Sequence, residues 1–180
     1  MRSVLSSDDL DRAIKRIAHE IVERNRGASE VLVIGIPTRG RPFANRLARV
    51  LSEIEGSEVS VGTLNIDDYR DDLDTRPRST MSPTNLPGPI GGKTIVLADD
   101  VLFTGRTVRA ALDALADLGR PGAVQLAVVI DRGHRQLPMR ADFVGKNLPT
   151  AYGERVSVRF TEVDGEDGVW VGVAEDSSDV

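Results

Sequence analysis

Ile95-Val96-Leu97-Ala98-Asp99-Asp100-Val101-Leu102-Phe103-Thr104-Gly105-Arg106-Thr107 decides the reading of this chain. Four apolar residues in succession suit a strand buried on both faces, as in a parallel sheet. They run into two adjacent carboxylates and then a small, hydroxyl-bearing turn. Val108, Ala111, Leu112, Leu115 and Leu118 follow at helical spacing as the inner face of a helix that Gly119 stops. Carboxylates at a strand's carboxyl end accept hydrogen bonds from sugar hydroxyls. Thr104, Gly105, Arg106 and Thr107 offer backbone N–H, hydroxyl and guanidinium donors at a helix N-terminus, a seat for phosphate. One loop can hold a ribose and its 5-phosphate.

Taken alone, the acid pair also fits an exposed turn, or the metal-binding acids of a receiver-type signalling domain with the same doubly wound topology. The Thr-Gly-x-Thr turn in register with it favours the sugar-phosphate reading. Gly92-Lys93-Thr94 has the ending of a P-loop. Pro87 stands at the first glycine, however, and Lys93-Thr94 leads into a strand, so that reading fails.

Outward from the signature, the chain alternates. Ser6 or Ser7 caps a helix with Asp8, Asp9 and Asp11 in its opening turn; Leu10, Ile14, Ile17, Ala18 and Ile21 form its buried stripe and Gly27 ends it. Val31–Ile36 is a strand, Pro37-Thr38-Arg39-Gly40 a turn, and a helix from about Pro42 to Ile54 buries Phe43, Leu47, Val50, Leu51 and Ile54 before Gly56. Val59–Ile66 is a second strand. From about 69 to 92 the pattern collapses into charge, Pro, Ser, Thr and Gly, which predicts a mobile binding loop. After the signature come the strand Val124–Ile130, a polar loop, and two short strand-like runs, Val156–Phe160 and Val169–Val173. Strands alternating with helices predict an α/β fold, a mostly parallel central sheet covered on both faces, with ligands at the strands' carboxyl ends.

At 180 residues one domain over 1–180 is expected. With no cysteine and two histidines, disulfides, thiolate chemistry and a zinc site are excluded. Met1–Asp11 lacks an apolar core of signal-peptide length and no segment reaches the ~18 apolar residues of a membrane span, so a soluble, cytoplasmic protein is expected. The formal charge of −5 opposes diffuse attraction to nucleic acid and leaves room for a local basic face.

Three loops gather at the sheet's ligand end: Thr38-Arg39-Gly40, Tyr69-Arg70, and Asp99–Thr107. Arg39, between Gly35 and Gly40, offers a forked guanidinium to a diphosphate; the blander alternative is a surface arginine. The signature itself resembles that of type I phosphoribosyltransferases, which bind 5-phosphoribosyl 1-diphosphate (PRPP). The likeness goes further. Arg16-Ile17-Ala18-His19-Glu20, Tyr69-Arg70-Asp71-Asp72-Leu73, the run Asp99–Ala110, Asp131-Arg132-Gly133-His134-Arg135 and Arg140-Ala141-Asp142-Phe143-Val144-Gly145-Lys146-Asn147 together resemble the bacterial pyrimidine operon regulator (PyrR) family. The match runs from about Leu5 to Val173; Ala98 departs from it, standing where the family usually has valine.

The resemblance implies a type I phosphoribosyltransferase fold with a small hood, mainly 131–155 with the C-terminal strands, over the sheet. It implies a uracil phosphoribosyltransferase that makes UMP and diphosphate from uracil and PRPP, and that also senses UMP or UTP and binds pyrimidine-gene leader RNA. Asp99 and Asp100 would take the ribose hydroxyls. Val101, Leu102, Phe103, Thr104, Gly105, Arg106 and Thr107 would carry the rest of the sugar and the 5-phosphate. Thr38, Arg39 and Gly40 would hold the diphosphate, with Tyr69 and Arg70 at the root of the closing loop; Arg39, Arg70, Asp99 and Asp100 are the expected catalytic set. In the hood Arg132 would face a base oxygen, Phe143 and Val144 would stack and read the base, and Val156 would complete its wall. Mg²⁺ would travel with PRPP without direct protein ligands. With no evident strong base for uracil, catalysis by charge stabilisation, orientation and water exclusion is expected.

For RNA, Arg12, Lys15, Arg16 and His19 lie on the first helix, and His134, Arg135, Arg140 and Lys146 in the hood. A solvated charged face is the bland alternative for the first group; in an acidic protein the second makes a confined positive surface. A homodimer or larger homo-oligomer is expected. A purine salvage phosphoribosyltransferase, or an RNA-binding regulator without turnover, are the competing functions.

Overall fold

The computed structural model describes residues 1–71 and 83–173. Asp72, Leu73 and much of the expected mobile loop lie outside these residues. The first strand, β1 (Arg2–Leu5), was not legible in the sequence. Helix α1 (Ser7–Asn25) follows, capped by Ser6: its hydroxyl accepts the Asp9 N–H at 3.2 Å while the Asp9 carboxylate accepts the Ser6 N–H at 3.1 Å. Arg26 closes α1 in a left-handed conformation. Then come β2 (Val31–Gly35), α2 (Gly40–Glu55), β3 (Val61–Thr63), β4 (Thr94–Leu102), α3 (Arg106–Leu118), β5 (Ala123–Asp131), β6 (Phe143–Asn147), β7 (Glu154–Arg159), the short α4 (Thr161–Asp164) and β8 (Gly168–Val173).

Five strands form an all-parallel sheet in the order β3-β2-β4-β5-β6. Alternation along them sorts the core into two halves. Val31, Val33, Val96, Ala98, Ala127 and Val129 pack with the buried stripes of α1 and α2. Leu32, Ile34, Ile95, Leu97, Leu126 and Val128 pack with Val108, Ala110, Ala111, Ala114 and Leu115 of α3. Burial on both faces explains the continuous apolar runs. A second sheet, β1-β8-β7, is antiparallel and forms the hood. Among the described residues no helix is long and apolar enough to cross a membrane.

Four expectations need correction. The second strand is only Val61–Thr63; Leu64 and Ile66, beyond it, are buried in the core half beside α3. Leu112 and Leu118, assigned to the inner face of α3, are 38% and 47% exposed; Ala110 and Ala114 occupy that face instead, and their small side chains bring the helix close to the sheet. Phe143–Asn147, read as hood loop, is the fifth strand of the main sheet. Helix α2 starts at Gly40, two residues before Pro42.

Candidate functional site

From β2 the chain moves outward to β3, then returns to place β4 on the other side of β2. The connections leaving the carboxyl ends of β2 and β4 therefore diverge to opposite faces, the switch-point geometry that opens a crevice in such sheets. The loop after β2 is pressed against β4: the Ile36 N–H donates to the Ala98 carbonyl at 3.0 Å, and the Pro37–Thr38 peptide is cis. A Cβ on Gly40 would strike the Ala98 carbonyl oxygen, and one on Gly35 would sit 2.6 Å from the Gly40 carbonyl. Only glycine permits this approach. The crevice is a cleft of about 890 Å³.

Asp99 and Asp100 form its floor. Asp99 is buried, and its carboxylate accepts the Asp100 N–H at 2.9 Å. Burial, then the adjacent Asp100 charge, pushes the Asp99 carboxyl well above the usual carboxylate range, with Arg70 opposing. The turn Thr104–Thr107 lines the cleft beside them, and Gly105 enters α3 with φ 95°. Hood loop residues brace this turn from behind: the Gln136 and Leu137 N–H groups donate to the Thr104 carbonyl at 3.0 and 3.1 Å. Arg106, expected to serve phosphate, donates to Asp71 at 2.6 Å and to Gln136 at 2.9 Å. Tyr69 ends the short turn Asp67–Tyr69 and lies outside the cleft, its hydroxyl on Asp117 at 2.5 Å.

Arg132 is buried in the cleft lining. It donates to Thr150 Oγ1 and the Ala151 carbonyl at 3.0 Å, reaches the Tyr152 carbonyl at 3.3 Å, and stacks on Phe103 at 4.1 Å. Tyr152, Arg155, Val156 and Ser157 continue the wall. Phe143 and Val144 do not reach it. Phe143 pairs with Ala127, below the strand ends that form the cleft, and its ring is buried in the core under Arg24. Phe143 and Val144, expected at the base, are therefore away from the cleft, whose wall on this side is β7, one strand later.

The basic residues divide. Arg12, Lys15, His19, Arg140 and Lys146 are exposed. Arg16 spans from α1 to the Val144 and Gly145 carbonyls. His134 donates Nε2 to the Thr150 carbonyl at 2.5 Å, since a carbonyl only accepts. Arg135 is a staple of the hood loop, donating to Asp131 at 2.6 Å, to Met139 and Phe103 carbonyls at 2.9 Å, and to the Gly133 carbonyl at 3.3 Å. That set of partners engages most of the Arg135 guanidinium within the hood loop.

A family model for the phosphoribosyl transferase domain matches residues 3–159. The proteins named "Bifunctional protein PyrR" of Leifsonia xyli subsp. xyli and Chloroflexus aurantiacus are 58% and 59% identical, covering 94% and 93% of this chain and 96% and 93% of theirs. The chain belongs to the PyrR family. Among solved structures, a hypoxanthine-guanine phosphoribosyltransferase from Bacillus anthracis (TM-score 0.71) and the hypoxanthine phosphoribosyltransferase of Trypanosoma cruzi (TM-score 0.72) are each 18% identical and cover 97% of this chain and 98% of theirs. They establish the PyrR-family fold here as the type I phosphoribosyltransferase one.

Several cleft residues of this PyrR-family chain carried no local signal. Asn65 and Asp67 lie just after β3, Tyr152 lies just before β7, and Arg155 lies within it. Asp164 holds Arg39, its Oδ2 accepting from Nε at 3.1 Å and its Oδ1 from Nη2 at 2.7 Å. The acid-rich turn Glu162–Asp167 before the last strand was the available clue.

Proposed function

We propose that the cleft transfers the phosphoribosyl group of PRPP to uracil, and that the same protein is a uridine-nucleotide-sensing regulator that binds leader RNA of pyrimidine genes. One observation carries the enzyme half: the strand-end acids, the phosphate turn and the arginine loop converge on a single crevice beneath the hood. In the reaction the C1–diphosphate oxygen bond of PRPP breaks, a bond from C1 to the uracil ring nitrogen forms, and the nitrogen's proton passes to solvent. Asp99 and Asp100 orient the ribose by its hydroxyls. The turn at Thr104–Thr107 anchors the 5-phosphate with backbone N–H groups and hydroxyls. Arg39 and Arg70 draw off the charge that develops on the leaving diphosphate, and the hood excludes water.

Among the described residues no three acidic or histidine side chains converge as a metal cage. The acid pair suits a cation that brings phosphate and water ligands with it, as Mg²⁺ does, and such an ion would neutralise the diphosphate as it leaves. The base wall combines the buried Arg132 guanidinium with Val156 and its neighbours in β7. Arg12, Lys15, His19, Arg140 and Lys146 supply the RNA surface. A homo-oligomeric state and a cytoplasmic location belong to the same reading.

Diphosphate release from PRPP and Mg²⁺ is to be measured with uracil, hypoxanthine, guanine and adenine in parallel. Release with uracil alone is expected. Preference for a purine points to salvage of purines, and no turnover with any base points to a regulator without catalysis. For the RNA half, leader RNA is titrated at fixed salt with and without UMP. UMP should tighten binding, and Arg140→Glu with Lys146→Glu should weaken it. Binding that ignores both changes refutes the regulatory assignment.

A further inference from the structure

Arg39 shares its surroundings with two carboxylates. Asp164 takes its Nε and Nη2 hydrogens side-on; Asp100 lines the same cleft as Arg39, and its charge attracts the guanidinium. Asp164 is fixed independently of Arg39. Its carboxylate also accepts the Phe160 N–H at 3.0 Å, and the Phe160 ring is buried, stacked on Phe43 of α2 at 6.5 Å with Arg46 over its face at 5.1 Å. The core that Phe160 shares with α2 thus sets where this carboxylate sits.

A guanidinium has five donors in a rigid fork, and Asp164 occupies one edge of it. The Nη1 edge is left for the cleft. Without Asp164 the long side chain would be drawn to Asp100, the acid on which the ribose is to dock. It would cover that carboxylate and turn its free edge away from the diphosphate. We infer that Asp164 is a positioning residue: it holds Arg39 by one edge, clear of Asp100, so that the other edge meets the diphosphate. This rests on the reading that the cleft takes PRPP.

The test uses the full chain and three probes: Mg²⁺ with inorganic diphosphate, Mg²⁺ with PRPP, and UMP, with affinities measured calorimetrically. Asp164→Asn keeps an oxygen for the Phe160 N–H and presents an amide N–H₂ to the guanidinium. It should weaken diphosphate and PRPP by about tenfold, the scale of a lost charge-assisted pair, while UMP, which has no diphosphate, changes less than about threefold. Asp164→Ser, which also keeps an acceptor for Phe160, should behave alike. In an Arg39→Gln background, Asp164→Asn should add nothing, because the carboxylate acts only through Arg39. Equal loss for UMP and diphosphate would mean that Asp164 merely holds the hood together, and tighter diphosphate binding would mean that it competes with the ligand. Either result overturns the inference. A wild-type chain that binds neither diphosphate nor PRPP overturns the functional reading with it, whereas wild-type binding without the selective loss overturns the inference alone.

Discussion

Asp100→Asn removes a charge from the cleft floor and keeps the side chain's size. An ionised carboxylate contributes about 1.5–3 kcal/mol to a hydrogen bond, and a neutral amide oxygen about 1 kcal/mol. The difference, about 0.5–2 kcal/mol, corresponds to a rise of about two- to thirtyfold in KM for PRPP or an equal fall in kcat/KM. A compensation limits the loss. Asp99 is pushed upward by burial first and by Asp100 second, so the substitution lets Asp99 ionise more readily and serve the remaining hydroxyl. Stability should not fall. A buried carboxyl whose folded pKa is raised costs stability as pH rises through the unfolded value towards the folded one, because the folded state holds a proton that the unfolded chain has already released. In the variant the gap between the two values narrows and that cost is smaller, so the melting temperature at neutral pH should hold or rise. Initial rates of diphosphate release against PRPP concentration, with thermal unfolding across the acid-to-neutral range, check both halves. Wild-type kinetics with PRPP would refute the role of the acid pair, and a lost fold would refute the account of its burial.

Other outcomes follow from the same geometry. Arg132→Met removes the donors that hold Thr150–Tyr152 and the stack on Phe103; KM for uracil should rise by more than about tenfold while PRPP affinity stays within about threefold, measured by two-substrate kinetics. Gly40→Ala drives a methyl into the Ala98 carbonyl, costing about 1–3 kcal/mol in urea unfolding and weakening diphosphate binding. Arg46→Met leaves Glu162 and Asp167 without the guanidinium that they share, at 2.6 and 2.8 Å, against a side chain only 10% exposed; a loss of about 2 kcal/mol at neutral pH is expected. Hydrogen bonding to Arg46 holds the Glu162 carboxyl below its usual range, so this stabilisation is present above the unfolded carboxylate range and fades as pH falls through the lower folded value. The gap between wild type and variant should therefore close in acid.

Legibility in the sequence tracked how local the cause was. Strands β2, β4 and β5 were readable because burial on both faces writes an unbroken apolar run, and α1 because Ser6 and Asp9 form its cap within four residues. Strand β6 was not, since Phe143-Val144-Gly145-Lys146-Asn147 is a short edge strand whose outer half is polar, and β1 is shorter still. On α3, Val108, Ala111 and Leu115 were read correctly as the inner face, whereas Leu112 and Leu118 were not, because alanines at 110 and 114 complete that face and let the helix approach the sheet closely. In the cleft, the strand-end acids and the turn Thr104–Thr107 are contiguous in the chain, so their common place was read directly. The pairing of Arg39 with Asp164 joins residues on α2's approach and α4, and no local spacing encodes it. Phe143 was misassigned for the related reason that an apolar-aromatic pair carries no mark of which strand will form the hood.

Strand β8 pairs with β1 and β7, with Leu5 opposite Val169. On a ribosome adding about 5–20 residues per second, β1 waits on the order of ten to thirty seconds for its partner. The strands that carry the acid pair and the phosphate turn emerge long before that. A nascent chain can therefore assemble its sugar-phosphate seat while the wall for the base is still being translated. Chains interrupted before residue 168 would leave the β7 wall without its β8 partner, and would expose the unpaired edge of β1 to whatever strand arrives first.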